Sequence, residues 1–516
     1  MRARSRLMWA LSLAVVGILL APTWAAAQQK TIHQRFVEEP ISVFDPHVYD
    51  GHYGSNLALA LPRYLHRPID DLTPRAGAEA LGRGGAYTAA VEGPLALAWN
   101  PAAMANLREL AVYTDSYLRS STSSGSGLPD TILVEGLGEF SISSYESALG
   151  GRDGFGFWGA ALPLFELGGR PVVGGAAYRA HSTIDFGTET VLEMGLFSAG
   201  GTGFPFVLGV DNEEKGAINS LTLGLAYEPV SSRTFSLAAG ASANVLTGRL
   251  RSNVLLRAAV RNFDEGMIAF ERDMRGLSIQ AGFLATLREK LQLGAWVELP
   301  HTIESYDSRI ESQPLILPDV TEVDHVHWEI ADYDMEIPLF YTLGIALGPI
   351  RGIEVSADYN VRPWSEVEIK HADEAFAAFD QSYPASDVES FHVGGRFEFP
   401  LLRRKLRDIG LRLMTQLGYR TMPLSMQHVD LDAGGVWPSG DQVEGSATAF
   451  GFSLETTANI TFHLGLEFQN YDVDSFFLLD GRSADSQELQ PGGIGQTVVS
   501  VDRDVQILRL SSEFRL

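Results

Sequence analysis

From about residue 110 to the last residue, apolar and polar side chains alternate with a period of two in one segment after another. In ITFHLGLEFQ, Ile460, Phe462, Leu464, Leu466 and Phe468 fall on one face, and Thr461, His463, Gly465, Glu467 and Gln469 on the other. Successive side chains of a strand point to opposite faces, so the segment predicts one amphipathic strand. Ile353, Val355, Ala357, Tyr359 and Val361 repeat the pattern against Glu354, Ser356, Asp358, Asn360 and Arg362. Residues 409–420 do the same, and shorter versions run through 221–227, 235–245, 254–261, 277–285, 291–298, 339–347 and 391–399. Less regular candidates precede them at 110–118, 140–145, 155–163, 172–178 and 183–196. Short turns join several of these strands, at 287–290 and 348–352, whereas 372–388, 427–444 and 480–503 read as long polar connections. The pattern predicts an all-β chain of about a dozen to sixteen strands, within the range of membrane barrels.

Two architectures put an apolar and a polar face on every strand. A sandwich turns the apolar face inward, and a transmembrane antiparallel β-barrel turns it outward to lipid. The polar positions here are often Gly, Ala, Ser, Asn, Gln and mixed charges, as a crowded lumen requires, and tight turns alternate with long connections, as in outer-membrane barrels. The closing VQILRLSSEFRL is itself a strand, with Leu508, Leu510, Ser512, Phe514 and Leu516 on one face, available to close a cylinder on its first strand. The barrel is the expectation.

The amino terminus supports it. Arg2, Arg4 and Arg6 precede an apolar run from Leu7 to Ala21, and Ala25-Ala26-Ala27 supplies a small-residue cleavage site, so residues 1–27 read as a secretory signal peptide. After that leader no uncharged apolar run reaches the 18 residues of a membrane helix. With 0 Cys, thiolate catalysis and disulfides are excluded. The net charge of −25 becomes three units more negative without the leader arginines, which disfavours nucleic acid as a partner.

The stretch LGRGGAYTAAVEGPLALAWNPAAMANL, Leu81–Leu107, is glycine-rich and nearly uncharged. Its glycines match neither the dinucleotide nor the P-loop phosphate motif. Gly82, Gly84 and Gly85 allow backbone to turn and pack without a Cβ, and Asn100 before Pro101 and Ala102 predicts a turn whose amide satisfies neighbouring backbone.

Several segments together resemble the FadL-like outer-membrane transporters of long-chain fatty acids and hydrocarbons. GAEALGRGGAYTAA (77–90) with WNPAAMA (99–105) is similar to that family's amino-terminal GGA…NPA segment. LSIQAGFLATLREKLQLGAWVELP is similar to its strand-turn-strand, and IEVSADYNVRPWSEVE resembles its D-x-x-x-x-x-W-S signature at Asp358, Trp364 and Ser365. The resemblance implies a barrel of 14 strands, an amino-terminal hatch inside the lumen built on Gly82, Gly84, Gly85, Asn100, Pro101 and Ala102, and sideways exit of ligand through an opening at a kinked early strand. It divides the chain into a signal peptide (1–27), an amino-terminal extension (28–72), a hatch (73–107) and a barrel (108–516). It also implies passive transport of a hydrophobic small molecule across the cell outer membrane, in contact with outer-membrane lipid, by a monomer without cofactor, metal or catalysis. PorV-like barrels, protein secretion or docking partners, share the GGA…NPA start and give the alternative role.

Five arginines on lumen-facing positions, Arg257, Arg261, Arg362, Arg396 and Arg412, could pair with a fatty acid carboxylate or with lumen acids such as Glu354, Asp358 or Glu398. His325, His327 and Glu329 in HVHWE could offer metal ligands or merely line a loop. Neither H-E-x-x-H nor G-x-S-x-G occurs, which leaves a lipid hydrolase with only scattered Ser and His. Trp158, Trp296, Trp328, Trp364 and Tyr419 read either as aromatic girdles at the headgroup level or, some of them, as lining of the lumen pocket.

Overall fold

The computed structural model describes residues 75–126, 132–134, 138–197, 203–258, 266–288, 290–313, 326–329, 332–350, 352–371, 386–398, 411–425, 427–432, 435–478 and 496–516. The segments read from sequence as a signal peptide (1–27) and an amino-terminal extension (28–72) lie outside them. Within them, strands follow one another as β1 (Ala111–Ser126), β2 (Ile132–Val134), β3 (Gly138–Leu167), β4 (Arg170–Phe197), β5 (Gly203–Ser231), β6 (Phe235–Ala258) and β7 (Gly266–Leu287). There follow β8 (Leu291–Glu298), β9 (His301–Gln313), β10 (Val326–Glu329), β11 (Tyr333–Ile337), β12 (Phe340–Ile350), β13 (Ile353–Arg362) and β14 (Glu368–His371). The last are β15 (Val388–Phe397), β16 (Leu411–Thr421), β17 (Gln427–Asp432), β18 (Gly435–Gln442), β19 (Gly445–Thr456), β20 (Ile460–Leu478) and β21 (Gln496–Arg515).

All the pairings are antiparallel, and they close a barrel of 14 staves. β8 with β9, β11 with β12 and β13 with β14 each make one stave, and β21 pairs with β1 from Ala111↔Arg515 to Ser126↔Ser500, so the last strand closes the cylinder on the first. The base, where Leu516 donates its backbone N–H to the Leu110 carbonyl at 2.8 Å, carries the tight turns, including Gly168-Gly169 with both residues at positive φ. The opposite end, the rim, carries the long connections. One of these differs from the sequence reading: 427–444 contains the hairpin β17–β18, because Val429 and Leu431 alternate with His428, Asp430 and Asp432 and pair with Pro438 and Val436. Another is shorter than expected, since β21 begins at Gln496 and extends its pairing with β20.

The exterior near the base is apolar. Leu221, Leu223 and Leu225 on β5, Leu277, Ile279 and Phe283 on β7, and Leu343, Ile345 and Leu347 on β12 are exposed. The same strands bury Ser220, Thr222, Ser278, Gln280 and Thr342 inside. A water-soluble fold does the reverse, so this arrangement is that of a bilayer-spanning barrel. On β7 the apolar band runs from Leu277 to Leu287. About ten steps of about 3.4 Å, inclined at about 40°, rise roughly 26 Å, which fits the apolar height of an outer-membrane barrel. Above the row Tyr178–Leu221–Val245–Leu277 the polarity inverts: Arg249, Arg275 and Lys370 point out, while Leu246, Met274 and Ile303 point in.

The lumen at the level of the band is filled by the hatch. It contains α1 (Ala78–Gly82), a turn through Gly84 and Gly85, a 3-10 turn at Gly93–Leu95, α2 (Ala96–Trp99) and a second 3-10 turn at Pro101–Asn106. Alanine favours these short helical pieces, while Pro94 and Pro101 open the 3-10 turns at positions where a missing N–H costs nothing. α1 stops where Gly84 and Gly85 enter left-handed backbone, at φ of 61° and 80°.

Candidate functional site

The hatch is held by two kinds of contact. Its first half is latched by charge. Arg83 pairs with Glu79 at 2.6 Å within the hatch and with Glu354 of β13 at 2.5 Å, and Arg396 of β15 bridges Glu354 at 2.6 Å and Glu79 at 3.2 Å. Two anions and two cations make a neutral buried set, the condition under which charges tolerate burial. Burial alone would push the Glu79 carboxyl up, but the guanidiniums of Arg83 and Arg396 outweigh it and hold it below the usual carboxylate range. Burial likewise opposes the Arg83 charge, and Glu79 and Glu354 reverse that effect. Backbone is captured as well: Asp358 accepts from the Tyr87 and Thr88 N–H groups at 2.9 and 2.8 Å, Asp115 from Gly77 at 3.1 Å, and Ser511 from Ala78 at 2.8 Å.

The second half packs against small residues of the wall. Leu97 and Met104 sit over Gly175 and Gly224, and Pro101 lies over Gly240. Asn100 is the polar fastener here: its amide donates to the carbonyls of Thr88 at 3.1 Å and Phe283 at 3.0 Å, and its Oδ1 accepts from Ala102 N–H at 3.2 Å. The close approach depends on missing side chains. A Cβ on Gly418 would overlap the backbone of Arg83 and Gly84, and one on Gly282 would overlap the Asn100 amide. The sequence placed glycines in the stopper; their partners in the wall it did not single out.

Above the hatch the wall has a break. β3 and β4 pair up to Phe157↔Arg179 and resume only at Tyr145↔Thr190, so about ten residues of each strand lack a ladder to the other. Each remains paired on its far side, β3 with β1 and β4 with β5. A bulge in β4 at His181, between Ala180↔Asn219 and Ser182↔Ile218, bends the strand at this point. Phe155 and Tyr178 stack at 6.0 Å, exposed, at the lower lip of the break. Inside, Arg179 donates to Ser220 at 3.2 Å and begins a polar shelf that runs through Thr222, Asn244 and Ser278.

Over the shelf lies an apolar cluster of buried side chains that includes Ile218, Met274, Trp296, Ile303, Met335 and Phe340. Three adjacent staves are interrupted by proline at matching levels, Pro300, Pro338 and Pro363, since proline cannot donate to a ladder. Beyond these interruptions Tyr333, Met335, Ile337 and Ile369 are turned inward and join the cluster. Phe340 and Trp364 meet at 5.0 Å, and Arg362 lies 5.2 Å from the Phe340 ring and 6.0 Å from that of Trp296. The girdle expectation therefore fails for Trp296 and Trp364, which are buried inside, and Trp158 and Tyr419 are the ones on the outer surface. Both lumen tryptophans sit on the polar phase of their strand or turn, a phase that faces the lumen whatever its chemistry.

The candidate arginines separate. Arg362 lies against the Phe340 and Trp296 rings; Arg396 belongs to the hatch latch; Arg412 pairs with Glu398 and Glu455 near the base. Arg261 and the side chain of Arg257 lie outside the described residues, as do His325 and the side chains of His327, Trp328 and Glu329. Among the described residues two Ser–His contacts occur, Ser453–His463 at 2.7 Å and Ser390–His392 at 3.0 Å, both buried in the wall. Sequence reading missed Arg179, His181, Asp115 and Asn360. The available signal was their position on a polar strand face, which dozens of residues share.

No family model and no curated protein matches the sequence. Solved structures do match. A FadL homologue of Pseudomonas aeruginosa is 12% identical with a TM-score of 0.54, over 86% of this chain and 99% of that one. The toluene transporter TodX of P. putida is 15% identical with a TM-score of 0.50, over the same shares, 86% and 99%. The chain therefore has the FadL-like fold, a membrane-spanning barrel of 14 strands stoppered from within by its amino-terminal segment.

Proposed function

We propose that this chain is a passive conduit of the outer membrane for long-chain fatty acids or similar hydrophobic small molecules, exported through its signal peptide. The observation that carries the reading is the unpaired stretch between β3 and β4, in the wall of a barrel whose lumen the hatch closes. A molecule taken from the rim passes the apolar residues of the upper lumen, is stopped by a hatch latched by ion pairs, and leaves sideways past Phe155 and Tyr178 toward lipid. Arg179, at the inner side of the break, and Arg362, against the aromatic rings of Phe340 and Trp296, are the cations placed to meet a carboxylate on that route. The solved structures of the same fold include proteins named as toluene transporters, which supports hydrophobic cargo.

Uptake of a labelled fatty acid by cells with and without the gene tests the reading, and equal uptake would count against it. The absence of cysteine makes a second test clean. Phe155→Cys with Tyr178→Cys, oxidised across the lip, should slow uptake at least about tenfold and recover on reduction, because an apolar solute then has no open lateral path.

A further inference from the structure

Above the row Tyr178–Leu221–Val245–Leu277 two inward faces of the wall are apolar, and both are buried. The first is formed by Leu246, Met274, Ile303, Tyr333, Met335 and Ile369 on β6, β7, β9, β11 and β14, none of them more than 4% exposed. The second is formed by Ala447, Tyr471, Val505 and Ile507 on β19, β20 and β21, none more than 2% exposed. They belong to separate clusters. β7 and β20 stand half-way round the ring from each other, so the two faces oppose across the lumen. Side chains fill the interior of a barrel of about eight strands, whereas the walls of a 14-stave barrel stand too far apart to cover each other. Among the described residues no part of the hatch belongs to the first cluster, and only Leu81 of the hatch belongs to the second. Burial to this extent needs a cover.

The described residues begin inside the lumen, beside the first face. The Arg75 guanidinium lies 3.8 Å over the ring of Trp296, a member of the first cluster, and 5.5 Å from the ring of Trp99 of the hatch. Ala76 accepts from the Trp99 indole at 2.8 Å, and Gly77 then donates to Asp115 of β1. Whatever precedes Arg75 in the chain therefore sets out from between the two faces. Its sequence suits them: LALALPRYL, residues 57–65, opens with an uncharged apolar run from Leu57 to Leu61, whereas the rim connections at 372–388 and 480–503 are polar. Leu61 precedes Arg75 by fourteen residues, which reach at most about 50 Å when extended, enough to place the run anywhere in the upper lumen. We infer that the segment before Arg75, through Leu57–Leu61, docks between the two apolar faces and covers them, because each side then withdraws apolar surface from water. The docked segment is a second stopper above the hatch, and an apolar molecule entering from the rim competes with it for the same faces. The inference goes beyond the transport reading, and its test needs no transport.

The full chain in vesicles, free of native cysteine, allows two measurements. In the first, Leu57→Cys, Leu59→Cys and Leu61→Cys are each combined with Met335→Cys on the first face and, separately, with Thr247→Cys on the outer surface, and oxidised. At least one of the three should form a disulfide with position 335 and none with position 247, since the bond forms only between β-carbons about 4 Å apart. No bond to position 335 from any of the three overturns the inference, as does equal bonding to position 247. In the second, Met335→Cys alone is treated with a water-soluble maleimide. It should react slowly, and at least about tenfold faster when Leu57→Asp, Leu59→Asp and Leu61→Asp are added, because charged residues do not stay docked on an apolar face. The heat-dependent gel shift of a closed barrel shows that both variants are folded. An unchanged slow rate means that a rim connection or the wall itself covers the face, and a fast rate in both means that nothing does; either overturns the inference and leaves the transport reading intact.

Discussion

Below the row Tyr178–Leu221–Val245–Leu277 the barrel shows leucine and phenylalanine to the outside and serine, threonine and arginine to the inside; above it the same strands do the opposite. On β6 Val245 is exposed below, whereas two turns of the pleat higher Arg249 is exposed and Leu250 packs inward. On β21 Leu510 is exposed below, while Val505 and Ile507 are buried above. The lower storey is solvated by hydrocarbon and stoppered by the hatch, so polar groups there are paired across the lumen. The upper storey stands in a polar surrounding and folds like a soluble barrel, with its own apolar interior. The two storeys teach that the polarity of a strand face is set by what surrounds it at that height.

The largest test falls on the latch. Arg83→Met leaves Glu79 and Glu354 facing each other with Arg396 alone between them, and removing one member of a buried ion set costs about 3–5 kcal/mol. The hatch should loosen while the barrel stays inserted, seen as a rise in ion conductance across planar bilayers; unchanged conductance would remove the latch from the account. Next comes the contrast between storeys. Leu223→Arg, on the lipid face, should lower folding stability in vesicles by about 2–4 kcal/mol, whereas Thr247→Arg, outward above the band, should change it by less than about 0.5 kcal/mol. Equal costs at the two positions would erase the boundary. Asn100→Ala removes the fastener of the apolar half of the hatch and should cost about 1–3 kcal/mol, with protease cutting near residue 100 as the readout.

The smallest effect separates the storeys by pH. Glu79 is held below the usual carboxylate range, so its stabilising contribution is complete above the ordinary value of 4.5 and is lost only as pH falls through its lower folded value. Conductance should therefore stay low from pH 7 to about pH 4. Asp334 of the upper storey is shifted the other way, by burial and by repulsion from Glu304 and Glu336. A raised carboxyl favours the folded state once protonated, so hydrogen exchange in β11 should slow slightly, not quicken, on mild acidification.

How much of this was legible beforehand differs by element. The strand at 460–469 was readable, since a period of two survives any environment, and so was the turn at 287–290. The hatch was legible through Asn100-Pro101 and its glycines, because those residues dictate backbone shape locally. Whether Trp296 belongs to a girdle or to the lumen was not legible, because alternation states that two faces differ and does not state which faces lipid. The roles of Arg396 and Arg83 were hidden because their partners lie far along the chain: Glu354 is 271 positions from Arg83.

Chain chemistry by itself determined the strands, their turns and the presence of a glycine-rich stopper, for these depend on neighbours within a few residues. Closure alone decided the rest: which height counts as membrane, where the ladder between β3 and β4 lapses, and which buried side chains meet inside. Those are distances between segments remote in sequence, and no local pattern encodes a distance that exists only once a ring of fourteen strands has closed.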